Sequence, residues 1–244
     1  MLSGGLANYV YRVTDPDGST TVYKHAAPYA HSNHNFALNV RRLDYEAHIL
    51  KLLSTKTSPS LLSQQSTVQS ARLVSYDVTQ KLLCISDGGT RTLKAAYNDA
   101  HLDISKIGRE LAQWVAMVQQ DSKNVSLALS SQDAASRGSQ NNNPVALHLY
   151  RHSHDNLHMA LSEFGSLIVS DDECICHGDF WPGNVLIQPG SGKGGDVQST
   201  VVDWELVRRG TSATDVGQFA AEASLRDRFK GGRGLLAAFL GCYV

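Results

Sequence analysis

The sequence predicts an α+β chain in two lobes, an antiparallel sheet first and a mainly helical part after it. Three observations carry this. Strand-like runs of aromatic and β-branched residues crowd the first 86 positions, with one helical stripe among them. Past the flexible exit Asp87-Gly88-Gly89, apolar residues switch to helical spacing. Short apolar runs in the last third then place a small sheet among the helices. The boundary falls near residues 86 to 92, dividing the chain into 1–88 and 89–244. At 244 residues and 42% hydrophobic content, there is enough apolar material for a sizeable core.

"NYVYRVTDPDGSTTVYKHAA" gives two strands joined at Asp15, Pro16, Asp17 and Gly18, a hairpin near the start of the chain. Residues 35–53 bring Phe36, Val40, Leu43, Ala47, Leu50 and Leu53 round at helical spacing, which predicts a helix over that range. "ARLVSYDV" and "KLLCIS" are two further strands. "ISKIGRELAQWVAMVQQ" is the clearest helix, with Ile107, Leu111, Trp114, Val115 and Val118 on one stripe. Residues 121–144, rich in Ser, Asn and Gln, are expected to form a mobile surface loop, and 145–168 another helix. "ECIC", "NVLIQP" and "STVVDWE" make the small sheet, the last two joined by "GSGKGGD". That loop fails as a P-loop, because Gly194 follows Lys193 where Ser or Thr is required, so a hairpin turn accounts for it.

Composition excludes several partners. Lys plus Arg at 22 against Asp plus Glu at 23 gives a net charge of -1, so no global field favours nucleic acid or an anionic membrane. No run approaches the ~20 apolar residues of a membrane span, and a cytoplasmic location follows by default. Cys84, Cys174 and Cys176 lie in apolar runs, where reduced thiols pack as small hydrophobes, and Cys174-x-Cys176 is too tight for a zinc knuckle. His148, His152, His154 and His158 form i, i+4 pairs without the intervening Glu of a metalloprotease, and solvated histidines are the expectation. Arg208 and Arg209 are expected to be solvent-exposed.

The chemistry concentrates in "CICHGDFWPGN". If "ECIC" is a buried strand, Asp179 lies on the loop leaving it and Asn184 stands where the chain re-enters a strand. Asp203, in "VVDWE", closes the other arm of that strand pair. Hard oxygens of this kind suit Mg²⁺ alongside substrate phosphates. The pattern assigns Asp179 as a base that accepts the proton of an attacking hydroxyl, with Asn184 and Asp203 on the metal. His177 is expected to orient the loop through hydrogen bonds. Taken alone, Asp179 and Asn184 are explained as well by a turn through Pro182 and Gly183.

The first lobe weakens that simpler explanation. Lys24 sits in the middle of a predicted strand, where an ammonium packs poorly unless it reaches a cleft, and Glu46 on the following helix is placed to anchor it. A lysine held by a glutamate and aimed at α and β phosphates is one part of kinase machinery. The turn "LSGGLAN", with Ser3, Gly4, Gly5 and Asn8, offers backbone N–H groups to cover phosphates.

"HGDFWPGNVLI" followed by "VVDWELVRRGTSATDVGQ" resembles the catalytic and metal motifs of the aminoglycoside phosphotransferase and choline kinase family. "LSGGLANYVYRV" and "VYKHAAPYA" are similar to that family's nucleotide loop and lysine strand, and "KHAAPY" resembles methylthioribose kinases, which depart at the position of Asn184. The resemblance covers nearly the whole chain except 121–144. It implies a bilobal protein-kinase-like fold: an antiparallel-sheet N-lobe and a mainly helical C-lobe with a small catalytic β-hairpin. It also implies ATP with Mg²⁺, an adenine-binding hinge near Ile85 to Gly88 with Ile85 and Asp87 on the nucleotide, and Asp215 as a brace for the catalytic loop. The acceptor is then a hydroxyl of a small molecule. The alternative is a non-catalytic relative that binds nucleotide or a partner protein, although Lys24, Asp179, Asn184 and Asp203 are all intact. The chain has neither the D-F-G nor the A-P-E of a protein kinase. The family's first strand is almost absent before Gly4, and "GLLAAFLGCYV" ends in an uncapped apolar run. A chain truncated at both ends is therefore expected, with self-association through the C-terminal face.

Overall fold

The computed structural model describes residues 7–54, 66–129, 142–147, 149, 171–188 and 197–243. Strands β1 (Tyr9–Thr14) and β2 (Thr20–His25) form the expected hairpin. Its turn is closed by Asp15 and needs a positive φ at Gly18, +84°. A short ladder of β3 (Tyr29–Ala30) and β4 (Asn33–Ala37) precedes helix α1 (Arg42–Ser54). β5 (Val68–Ser70), β6 (Leu73–Asp77) and β7 (Leu82–Ser86) follow, giving an antiparallel sheet of order β1-β2-β7-β6.

The helix predicted over 35–53 begins only at Arg42, a correction with a local cause. The Asn39 side chain accepts the Arg41 N–H at 2.9 Å and its carbonyl accepts that of Arg42 at 3.2 Å, so the chain turns into the helix there. Upstream, pairing of β3 with β4 satisfies the backbone and leaves Phe36 exposed.

β8 (Arg91–Thr92) leads into the single-turn helix α2 (Leu93–Ala96) and the long helix α3 (Ile104–Asp121). Asp103 caps α3 by accepting the Lys106 N–H, and the predicted stripe Ile107, Leu111, Trp114, Val115 and Val118 is buried. β9 (Cys174–Cys176) pairs with β12 (Arg208–Gly210), while β10 (Val185–Gln188) and β11 (Gln198–Val201) form the second hairpin. β5 joins β11 in parallel and β8 joins β10, so a second sheet of order β5-β11-β10-β8 takes strands from both ends of the chain. Helices α4 (Ala213–Phe229) and α5 (Leu235–Cys242) complete the order, with α5 packed along α3 and α4.

Gly108 lets α5 approach α3 closely, since a Cβ there would sit 3.1 Å from the Leu235 carbonyl. Asp227 accepts the N–H groups of Leu235 and Leu236 at the start of α5. The C-terminal apolar run therefore buries Leu235 and Phe239, while Leu240 stays exposed. Trp114, Phe180, Phe219 and Phe239 form a row of ring contacts in the core, with successive centroids 4.2–6.5 Å apart. All four cysteines are free thiols. Among the described residues no helix is long and apolar enough to cross a membrane.

Two further expectations are corrected. Arg208 and Arg209 are buried rather than solvated. The Arg209 guanidinium pairs with Asp172 and donates to the carbonyls of Ser122, Lys123, Val125 and Asp172. In the segment expected to be surface loop, Asn142 and Asn143 are buried, exchanging hydrogen bonds with the Arg209 backbone and donating to the Val207 carbonyl. Polar composition misled here because these side chains satisfy buried backbone groups. The remaining residues of 130–141, the histidines from His148 to His158 and the 189–196 turn lie outside the described residues.

Arg209→Met should remove a shared partner from the Ser122, Lys123, Val125 and Asp172 carbonyls and lower stability by about 1–3 kcal/mol, a fall in Tm on the order of 5 °C. The exposed Arg228→Met should change stability by less than about 0.5 kcal/mol. Thermal melts of both variants check this, and an Arg209→Met melt indistinguishable from wild type would contradict it.

Candidate active site

Strand periodicity builds one wall of the site. In the β1-β2-β7 register Val10 lies opposite Lys24, Arg12 opposite Val22, and Val22 opposite Ile85. All five line a cavity of about 440 Å³. Facing them across the cavity are Asp179, Trp181, Gly183, Asn184, Leu186 and Asp203 from the second hairpin and its approach.

The hairpin itself brings the two predicted metal positions together. Val185 pairs with Val201, and the Val202 N–H donates to the Asn184 carbonyl at 3.0 Å, so Asn184 and Asp203 stand at one end of the ladder. Asp203 adopts a left-handed backbone, φ 70° and ψ 55°, which Asp tolerates better than most residues. That turn into the 3₁₀ segment Trp204–Leu206 accompanies its contact with Lys24.

Lys24 is buried, and its ammonium donates to Glu46 at 2.8 Å and to Asp203. Burial works against this charge, yet the negative charges of Asp203 and Glu46 outweigh it and hold the lysine above its ordinary pKa. A second buried pair runs parallel, with Arg42 one turn before Glu46 on α1 donating to Glu205 at 3.1 Å. The carboxylate oxygens of Glu46, Asp203 and Glu205 fall within 4.8 Å of one another. Burial pushes the Glu46 carboxyl up to about 7 and raises that of Glu205. Burial also opposes the Asp203 charge, but the Lys24 ammonium brings its pKa below the usual carboxylate value. Asp203 is also the most open of the three, with 37% of its side chain exposed against 1% and 11%. It is the carboxylate of the three that opens most to the cavity, whose lining also includes Asn184.

The 177–184 loop is held rigidly. Gly178 has φ +83° and no space for a Cβ, which would lie 2.1 Å from the Leu206 carbonyl. Asp215 on α4 accepts the backbone N–H groups of His177 at 2.7 Å and Gly178 at 3.0 Å, which is the bracing contact the family resemblance implied. The His177 Nδ1 accepts the Asp179 N–H, so its Nε2–H donates to the Val202 carbonyl at 3.0 Å. Burial lowers the imidazole pKa, which keeps this tautomer neutral and fits the orienting role expected of it. The Asp179 carboxylate accepts from the Asn184 amide at 3.0 Å and from the Gln218 amide at 2.5 Å.

Of the positions singled out from sequence, Asn8, Lys24, Glu46, Ile85, Asp87, Asp179, Asn184 and Asp203 all line the one cavity. Ser3, Gly4 and Gly5 lie outside the described residues. The Asn8 side chain donates to Glu205 at 2.6 Å and accepts from Arg42 at 2.8 Å. The Asp87 carboxylate is likewise engaged by Arg12, at 2.5 and 2.9 Å, and by the Gly89 N–H. Sequence reasoning missed Arg12, Arg42, Glu205 and Gln218. Helical spacing held a signal for two of them, because Arg42 lies four residues before Glu46 and Gln218 three after Asp215.

Comparison with known proteins gives the family and the fold. The chain is 27% identical over 264 residues to a 4-hydroxytryptamine kinase of Psilocybe cyanescens, covering all of this chain and 73% of that protein. It is 24% identical to the 4-hydroxytryptamine kinase of Psilocybe cubensis, covering 94% of this chain and 68% of that one. Among solved structures, the amicoumacin kinase hAmiN matches with a TM-score of 0.53 at 14% identity, over 100% of this chain and 71% of that one. The Rio2 kinase of Chaetomium thermophilum matches at 0.51 and 11%, over 99% and 64%. These likenesses show the bilobal protein-kinase-like α+β fold expected from the sequence. The model of the phosphotransferase enzyme family matches residues 1–241, and the chain belongs to that family.

Proposed function

We propose that the protein transfers the γ-phosphoryl group of ATP to a hydroxyl of a small molecule, with Asp179 as the base. The observation that carries this is the meeting, in one cavity, of the Asp179 carboxylate, the Lys24–Glu46 pair and the Asn184–Asp203 oxygens. Val10, Val22, Ile85 and Leu186 give the cavity apolar walls for a planar base. Lys24, fixed by Glu46, aims its charge at the α and β phosphates. Asn184 and Asp203 would hold Mg²⁺, which would supply positive charge to offset that of the phosphates.

Asp179 does the proton chemistry. Each of its oxygens accepts one amide hydrogen bond, which leaves lone pairs for the acceptor hydroxyl. The hydroxyl oxygen forms its bond to the γ phosphorus as the bond to the bridging oxygen breaks; ADP departs and the hydroxyl proton passes to Asp179. Amino alcohols, amino sugars and aminoglycosides are acceptors to try, and the names of the Psilocybe relatives support adding phenolic amines to that panel.

An ATP-consumption screen over that panel, with 4-hydroxytryptamine included, is expected to show turnover. Nucleotide binding without turnover of any member would move the protein to the non-catalytic reading. Asp179→Asn should cut turnover by about 10²–10⁴-fold and leave Mg·ATP affinity within about threefold. Asp203→Ala should weaken Mg²⁺-dependent nucleotide binding by about tenfold or more. Titrations with and without Mg²⁺ separate the two roles, and equal loss of nucleotide binding in both variants would contradict the assignment.

A further inference from the structure

We infer that Gln218 is a positioning residue that aims the Asp179 carboxylate at the acceptor, an assignment that rests on Asp179 being the base. Helix α4 grips the loop in register. Asp215 takes the N–H groups of His177 and Gly178, Gln218 reaches Asp179, and Phe219 stacks on Phe180 with centroids 5.1 Å apart. Positions 215, 218 and 219 share one helix face, so consecutive loop residues meet consecutive points on that face.

The three contacts do different things. Asp215 and Phe219 are buried and hold the loop's backbone and its apolar side chain, whereas half-buried Gln218 touches the carboxylate itself. The terminal torsion of an aspartate is soft, with a broad distribution rather than three sharp wells. Hydrogen bonding from Asn184 to one oxygen and from Gln218 to the other removes that freedom, through two amides carried on different elements. An amide bonded to a carboxylate is among the stronger hydrogen bonds, and a base is useful only within a narrow range of orientation. With Gln218 gone, Asn184 alone does not fix the plane, and the proton acceptor swings away from the hydroxyl. The Lys24–Glu46 pair lies across the cavity from Asp179, and Gln218 itself is not part of the cavity lining.

The test uses Gln218→Met, which keeps length and loses the donor, and Gln218→His, whose Nε2–H reaches about as far. Turnover is measured with the fastest acceptor of the panel, alongside Mg·ATP affinity by calorimetry, thermal melts and a crystal structure of Gln218→Met. In Gln218→Met we expect kcat to fall by about 10- to 100-fold. Mg·ATP affinity should stay within about threefold, and Tm within about 2 °C. The crystal structure should show the Asp179 carboxylate turned from its present orientation, and Gln218→His should recover most of kcat. Three results would each overturn the inference: wild-type kcat in Gln218→Met, an unmoved carboxylate in its crystal structure, or a loss of kcat matched by losses in Tm and nucleotide affinity. Asp179→Asn serves as the control on the parent assignment. Full turnover there removes the base itself, while an inactive Asp179→Asn beside a fully active Gln218→Met removes only the role of Gln218.

Discussion

One buried ammonium organises the site. Lys24 leaves water only because Glu46 on α1 and Asp203 beyond β11 meet it, and that requirement ties the first sheet, the helix and the second hairpin together. Arg42 and Glu205 repeat the tie one helical turn away, drawing in Asn8 and the carbonyls of Ala7 and Ala27. The cluster sets three carboxylates against two cations, and of the three Asp203 is the one that opens most to the cavity. Buried ion pairs are weak contributors to stability, because desolvation offsets most of the attraction. The arrangement is better explained by what it presents to the cavity: a fixed positive charge and, beside it, an anionic oxygen.

Below that cluster the 177–184 loop is rigid for a separate set of reasons. Its backbone is gripped by Asp215, its one left-handed turn is possible only for Gly178, and Phe180 is sunk in the aromatic stack. The His177 ring rests against Trp204 with centroids 4.5 Å apart, joining the loop to the segment that follows Asp203. Asp179 and the arm that carries Asp203 are thus supported by one core, so their spacing is set by packing rather than by flexible side chains.

Local patterns were legible in the sequence, and contacts between distant segments were not. The hairpin turn at Asp15–Gly18, the α3 stripe and the order Asp179, Asn184, Asp203 each depend on neighbours a few residues away. Residues 35–41 carried helical spacing but formed a strand and a turn, since Asn39 caps α1 late and β3 offered a partner. Arg209, Asn142 and Asn143 looked like surface residues because nothing local shows the backbone carbonyls and N–H groups that they satisfy, up to 87 positions away in sequence. The parallel pairing of β5 with β11 is of the same kind.

The claim that the Lys24 cluster exists for the nucleotide rather than for the fold is tested most directly by the double variant Lys24→Met/Glu46→Gln, which removes one charge of each sign. Thermal melts are recorded with and without saturating Mg·ATP. The account predicts a ligand-free Tm within a few degrees of wild type or above it, as for other buried pairs replaced together, and loss of the rise in Tm that Mg·ATP gives the wild type. A double variant that melts far below wild type, or one that keeps the full Mg·ATP-dependent rise, would contradict it.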